Sequence, residues 1–193
     1  MHSTQQMLAF VMDLLKEKIP PEYYYHNYLH TQYIFEKAEK IGKAEHCSPE
    51  NIELLKMAAL WHDVGYINIY EGHEEEGCKL VKHYFPKFGV EQNDMEKVCG
   101  MIMATKFPQS PKNKLEEIIA DADLEYLGTQ NAGSMANQLY RELKHRDPSL
   151  TPDEWNKTQI SFINNHHYFT DYCKQHCEPV KQDYLNRLIH HGC

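Results

Sequence analysis

The chain has 193 residues, of which 41% are hydrophobic and 25% charged, and its formal net charge is −8. These values are typical of one soluble domain over residues 1–193, and the acidic balance does not favour a nucleic-acid surface. No apolar run approaches the roughly 20 residues that cross a bilayer, and the N-terminus lacks the basic start and cleavage site of a signal peptide. We therefore expect a cytoplasmic protein with no membrane partner.

Six cysteines are scattered along the chain without the rhythm of a disulfide framework. Cys173 and Cys177 have the spacing of one helix face, but a structural zinc ion would need further ligands that are not obvious nearby. We expect the cysteines to be reduced thiols, as is usual in the cytoplasm.

Apolar residues recur at helical spacing from the N-terminus onward. The first predicted helix covers residues 7–19, where two consecutive prolines stop it, and the second covers 29–42. A third begins with Ser48 as its N-cap and Pro49 at the first helical position, and Gly65 can close it.

The rest of the chain continues the same pattern. The segment 106–114 is a polar, proline-marked loop, and no alternating pattern predicts a β-strand. Further helices are predicted over residues 73–84, 91–105, 115–128, 134–144, 152–172 and 179–189. The sequence therefore predicts an all-α fold.

Two histidines mark the segment "YHNYLH", residues 25–30. His26 and His30 are four residues apart and would share one face of a helix, so both can face one cleft. The alternative is a pair of ordinary surface or core histidines, since the chain contains 13.

A histidine and an aspartate stand side by side in "LWHDVGY", residues 60–66. Neighbouring helical residues point about 100° apart, so His62 and Asp63 can bind one ion only where the helix ends or the ion lies over its flank. The apolar residues before them place the pair at the edge of the core. A buried carboxylate there is costly unless it is paired or bound to metal.

Two more carboxylates lie in the apolar helix "IIADADLEYLG", residues 118–128. Asp121 has an alternative explanation as a capping residue or as the partner of a lysine. Two imidazoles and two carboxylates suit a divalent ion such as Mn²⁺, Fe²⁺, Co²⁺, Ni²⁺ or Zn²⁺ with positions left for water. The candidate ligand set is His30, His62, Asp63 and Asp123.

The order of these motifs resembles the HD superfamily of metal-dependent phosphohydrolases. The segments "YHNYLHT", "ALWHDVGY" with "GHEEEG" behind it, and "IIADADLEYLG" carry the resemblance, over a core of residues 25–128 with a helical extension over 129–193. It implies a single-domain helical bundle in which His30, His62, Asp63 and Asp123 bind the metal. Asp123 fits the family pattern better than Asp121, because a small residue, Ala122, precedes it.

The resemblance also implies the chemistry, in which a metal-activated water attacks a phosphomonoester, a phosphodiester or a nucleotide phosphate. Asp63 or Asp123 would accept the proton of the water. In the similar cyclic-nucleotide phosphodiesterases the first histidine of the motif protonates the leaving oxygen, a role that falls on His26 here. His73 and Glu74 are further candidates for acid or base. For these three residues a supporting or solvated position is the alternative.

Some superfamily members bind a second metal with two additional histidines. His73 would be the first of these, but Thr105 occupies the place of the second, which favours one tightly held metal, with a weaker Mg²⁺ or second ion left open. Lys106 and Lys79 are candidates to receive a phosphate, and ordinary surface lysines are the alternative.

Three functions therefore compete. The first is a phosphohydrolase acting on a small phosphorylated partner, with a nucleotide as one candidate. The others are a non-heme di-iron oxygenase on the same scaffold and a catalytically silent metal-binding regulatory module. A homodimer is one candidate assembly. His166 and His167, in the later segment "NNHHYFTDY", are expected to pack on a long helix instead of forming another metal site.

Overall fold

Helices account for the regular structure of the described residues, 4–191 of this computed structural model, and no strand occurs among them. The all-α prediction is confirmed. Short 3₁₀ segments cover Val64–Ile67, Phe85–Phe88 and Glu125–Gly128. The α-helices are α1 (Thr4–Lys18), α2 (Tyr28–Ala44), α3 (Pro49–Trp61), α4 (His73–Tyr84), α5 (Gln92–Thr105), α6 (Lys114–Leu124), α7 (Ala132–Arg146), α8 (Pro152–Asn165), α9 (Asp171–His176) and α10 (Glu178–His191).

Side-chain caps fix where several of these helices begin. The Asn27 side chain accepts a hydrogen bond from the backbone N–H of Leu29 at 2.9 Å and so starts α2. Ser48 caps α3 as the sequence predicts, with Pro49 following it. Each such cap contributes about 1 kcal/mol by satisfying a backbone donor that the helix cannot satisfy itself.

The core has two parts. The larger cluster is formed mainly by α1 to α6, with Trp61, Leu55 and Ile119 fully buried. The smaller cluster joins the 3₁₀ segment after α6 to α7, α8 and α10. Ala122 belongs to the first cluster and Leu124 packs against the second, so Asp123 stands where the two meet.

Two helices end earlier than the sequence predicts. α3 stops at Trp61 and α6 stops at Leu124, and a 3₁₀ segment follows soon after each. His62 is the C-cap of α3, and Asp63 has left the helix with φ −104° and ψ 2°. The backbone changes direction between His62 and Asp63, and this change allows the two adjacent side chains to face the same point.

The predicted helix over residues 152–172 is wrong in its second part. α8 ends at Asn165, and a non-helical stretch precedes α9. The Asp121 carboxylate accepts hydrogen bonds from the backbone N–H groups of Phe169 and Thr170, at 2.9 and 2.8 Å. These donors would otherwise serve a continuous helix, so a distant residue determines the break.

Gly65 allows the turn after α3 to pack against the start of α4. A Cβ atom added at Gly65 would overlap the carbonyl group of His73 and lie 2.9 Å from the nitrogen of Gly77. Only glycine leaves room for this contact. The contact fixes where α4 begins and therefore where His73 lies relative to Asp63.

None of the helices over residues 4–191 combines the length and the apolar character needed to cross a bilayer.

Candidate metal centre

Nitrogen and oxygen atoms from three parts of the chain converge on one point. His30 Nε2 lies 3.3 Å from His62 Nε2 and 3.2 Å from Asp123 Oδ1. Asp63 Oδ2 lies 3.1 Å from His62 Nε2 and 3.5 Å from His30 Nε2. Ligands about 2.1 Å from a common ion stand roughly 3.0 to 3.4 Å apart, so the spacing of these four side chains fits a single divalent metal.

Local structure aims each ligand at this point. His30 projects from the first turn of α2, and Asp123 comes from the end of α6. His62 Nδ1 lies 2.8 Å from the Ala59 carbonyl oxygen, which it can reach only by donating its proton. The lone pair of His62 is therefore on Nε2, the atom that faces the other ligands.

Burial and an unpartnered carboxylate oxygen leave a place for a cation at this point. His30, His62 and Asp63 are buried, and Asp63 Oδ2 has no hydrogen-bond partner among the described residues. Burial alone would raise the pKa of Asp63, but the adjacent imidazoles, His62 first, outweigh it and hold that pKa well below its usual range. Burial also opposes the ionisation of Asp123, and its contacts with His30 and His62 lower that pKa in the same way. One buried and one half-buried carboxylate thus stay anionic around an atom-sized gap between nitrogen donors.

Asp121 and Asp123 point to different parts of the molecule. Asp123 joins the histidines, whereas Asp121 accepts hydrogen bonds from the Thr170 hydroxyl at 2.6 Å and from the backbone N–H groups of Phe169 and Thr170, just before α9. Desolvation raises the pKa of Asp121. The structure therefore places Asp121 as the cap of a loop, which is one of the two explanations that its sequence context offered.

A cavity of about 340 Å³ opens beside the four ligands. His26, Asp63, His73, Glu74 and Asp123 line its polar end. Thr105, Gln109, Thr158 and Gln159 add neutral polar groups. The remaining wall is largely apolar and aromatic, and much of it comes from α7 and α8: Tyr25, Tyr66, Phe107, Leu124, Tyr126, Leu127, Ala136, Leu139, Leu143, Trp155, Phe162 and Ile163.

His26 lies at the polar end, and a residue from outside the sequence motifs holds it there. Its Nδ1 is 2.5 Å from Glu142 Oε1, and its ring packs on Tyr66 with 4.4 Å between centroids. Burial alone would lower the pKa of His26, but the hydrogen bond to Glu142 and the nearby carboxylates raise it above its ordinary value.

Sequence reasoning missed Glu142. The residue lies in amphipathic α7, one turn beyond Leu139 and next to Leu143, both of which line the cavity. An acidic residue on the inward stripe of a helix was the available signal, since buried carboxylates are rare without a partner.

His73 and Glu74 both face the cavity, at the start of α4. His73 Nε2 lies 3.5 Å from Asp63 Oδ1, and its ring stacks on Tyr66 with 3.8 Å between centroids. Glu74 is buried, with its Oε2 3.6 Å from His73 Nδ1. Asp63 thus touches the ligand group with one oxygen and His73 with the other.

The two candidate phosphate-binding lysines lie elsewhere. Lys79 pairs with Glu76 at 2.8 Å on the outer face of α4, and Lys106 pairs with Glu75. Their side chains are 73% and 45% exposed, and neither is among the residues that line the cavity. The structure gives both the position of surface lysines, because their carboxylate partners hold them on the outside of α4.

The other residues that the sequence offered as candidates, Thr105 and His166, make their hydrogen bonds away from the four candidate metal ligands. Thr105 lines the cavity, but its hydroxyl donates to the Ile102 carbonyl oxygen at 2.8 Å. His166 follows the end of α8, where buried Lys181 donates to its carbonyl oxygen at 2.6 Å. The ligand atoms of His30, His62 and Asp123 all lie within 4.8 Å of one another, and Asp63 Oδ2 lies within 3.5 Å of both histidines.

Comparison with known proteins gives a consistent picture of the fold. The family model described as HD domain matches residues 23–125. The structure is similar to a predicted HD superfamily hydrolase from an uncultured Thermotogales bacterium, with a TM-score of 0.64 and 18% identity over 96% of this chain and 90% of the other. It is also similar to Bacillus subtilis YpgQ in complex with ADP, with a TM-score of 0.64 and 17% identity over 96% of each chain. Likeness at these identities shows the fold alone. No curated protein matches the chain in sequence.

Proposed function

The chain belongs to the HD domain family, and from that premise we propose that it is a metal-dependent phosphohydrolase acting on a small phosphorylated molecule. One observation carries the proposal. The four donor atoms of His30, His62, Asp63 and Asp123 lie at metal-ligand spacing, and the two aspartates also line a cavity that two further histidines share.

These four side chains would hold one divalent ion. Two imidazoles and two carboxylates are compatible with Mn²⁺, Fe²⁺, Co²⁺, Ni²⁺ or Zn²⁺. When bound, such an ion supplies Lewis-acid activation of water and of the phosphoryl group.

Residues of the chain move the protons. Asp63 presents Oδ1 toward His73 and the cavity, and it takes up the proton of the attacking water. His26 uses Nδ1 for Glu142, so Nε2 is the atom that gives a proton to the leaving oxygen. An imidazole suits this role because its pKa is near neutrality.

The cavity lining favours a substrate with a single phosphoryl group. No lysine or arginine of the described chain lines the cavity, while Asp63, Glu74 and Asp123 do. Several phosphates in a row would meet three carboxylates with little cationic compensation beyond the metal. The apolar wall suits an uncharged organic group. A nucleoside monophosphate is one candidate, and the ADP bound to structurally similar YpgQ supports testing nucleotides first.

We also propose that the C-terminal helices belong to the same domain as the metal ligands. α7 and α8 supply much of the cavity wall, and their apolar residues would face water without the rest of the chain.

Metal content and phosphate release test the proposal together. Protein purified without chelators or affinity metal is analysed for metals and then assayed with p-nitrophenyl phosphate and nucleoside monophosphates. We expect about one divalent ion per chain, lost in His62→Ala together with hydrolysis. His83→Ala is the matched control, because His83 is exposed on the outer part of α4.

Other outcomes would overturn the proposal. A metal-loaded protein that releases no phosphate from any ester would indicate a binding module. Two irons per chain would indicate oxygenase chemistry instead.

A further inference from the structure

Glu142 is a buried carboxylate whose two oxygens both have assigned partners. Oε2 accepts hydrogen bonds from the backbone N–H groups of Tyr25 and His26, at 2.9 and 3.0 Å. Oε1 lies 2.5 Å from His26 Nδ1 and accepts from the Tyr70 hydroxyl at 3.0 Å. The residue is 1% exposed, so this arrangement forms almost entirely away from solvent.

The placement of Glu142 is unusual for a carboxylate that merely stabilises the fold. It lies in α7, beyond the segment 23–125 that matches the HD family model. Among the described residues, its ion-pair partner is His26 and not a lysine or arginine. A buried carboxylate is costly unless hydrogen bonds satisfy it, and of the two side chains that do so here, His26 and Tyr70, only His26 lines the cavity.

We propose that Glu142 is the positioning residue for His26: it keeps the proton on Nδ1 and directs Nε2 into the cavity. The inference rests on the proposed function for its catalytic consequence. The geometry supports it directly, because a carboxylate oxygen beside Nδ1 favours the tautomer and ring orientation in which Nδ1 carries hydrogen.

The step that Glu142 serves is the departure of the alcohol. As the bond from phosphorus to the leaving oxygen breaks, its electron pair goes to that oxygen. Protonated His26 gives its Nε2 proton to the same oxygen, which leaves as a neutral alcohol. His26 is then a neutral imidazole whose proton stays on Nδ1 and is donated in a hydrogen bond to Glu142, and water later returns the proton to Nε2.

Leaving groups of different basicity separate this role from a structural one. A nitrophenolate leaves readily without a proton, whereas the alkoxide of a nucleoside monophosphate does not. In Glu142→Gln the side chain can still accept from the backbone but presents N–H to Nδ1. We expect kcat to fall about 10²- to 10³-fold with a nucleoside monophosphate and only a few-fold with p-nitrophenyl phosphate.

Three comparisons complete the experiment. His26→Gln should show the same leaving-group pattern, and the double variant should be no slower than either single variant. Metal content should stay at the wild-type value. Glu36→Gln is the matched control, since Glu36 is exposed on α2, and it should behave as wild type.

Equal losses with both substrates, or additive losses in the double variant, would overturn the inference and leave Glu142 as a structural residue. A second readout does not depend on activity. Long-range ¹H–¹⁵N NMR of the imidazole should show Nδ1 protonated in neutral wild-type His26, and an Nε2 tautomer there would overturn the inference even if Glu142→Gln fails to fold. If wild type hydrolyses neither substrate, the proposed function fails, while the NMR result still decides the positioning claim.

Discussion

Asp121 and Asp123 offer the sharpest separation between stability and metal binding. Only one residue lies between them, yet Asp121 caps the loop after α8 and Asp123 joins His30 and His62. Replacing each by alanine should therefore damage different properties. We expect Asp123→Ala to lose most bound metal, and Asp121→Ala to lose stability and retain its affinity for metal.

The magnitude for Asp121 follows from its contacts. The substitution removes the acceptor for the N–H groups of Phe169 and Thr170 and for the Thr170 hydroxyl. Leaving a buried donor unsatisfied costs about 1 to 3 kcal/mol, and some of these groups can turn to water. The net loss should be about 3 kcal/mol, which lowers the melting temperature of a domain this size by roughly 6 to 12 °C.

Two measurements on the same samples check this. Thermal unfolding with a chelator present reports stability without metal, and elemental analysis after reconstitution reports binding. Asp123→Ala should melt close to wild type in chelator and hold little metal. Equal metal loss in both variants, with equal melting, would refute the assignment of separate roles.

Three further outcomes are expected. Burial, assisted by Lys181, lowers the pKa of His166 to about 3. Because the unfolded chain binds that proton more readily, stability is complete above about pH 6.5 and falls as pH drops toward 3, by about 2 kcal/mol at pH 5. Denaturant titrations at pH 7 and pH 5 should show this loss in wild type and a smaller one in His166→Gln. Gly65→Ala should cost about 2 kcal/mol or more, measured by thermal unfolding, because its Cβ would displace His73. A nucleoside monophosphate should exceed the triphosphate in kcat/KM by at least about tenfold in steady-state assays, since the cavity lining is acidic; the reverse order would contradict that argument.

Local signals in the sequence predicted most helices well. The helix predicted over 73–84 has the same bounds in the structure, because Gly72 precedes it and apolar spacing is regular within it. The end of α8 was predicted wrongly, since the donors that break the helix are satisfied by Asp121, 48 residues from Phe169. Periodicity within one segment carries no information about such a partner.

Some residues of the candidate site could likewise be predicted from local sequence, and others could not. His30, His62, Asp63 and Asp123 could be proposed from the order of the motifs, because each stands in an unusual local context. Glu142 could not be proposed, since its role depends on a contact with His26, which lies 116 positions away in the sequence. The surface positions of Lys79 and Lys106 likewise depend on which face of the structure their partners occupy.

The division of the cavity between two groups of helices has a consequence for evolution and for engineering. The proposed metal ligands come from α2, the end of α3 and α6, whereas much of the apolar wall comes from α7 and α8. Mutations in the wall can therefore drift, or be selected, without disturbing the proposed metal site, and retaining Glu142 also keeps His26 in place. A library restricted to Leu139, Leu143 and Phe162 would sample new leaving groups on an unchanged reactive centre.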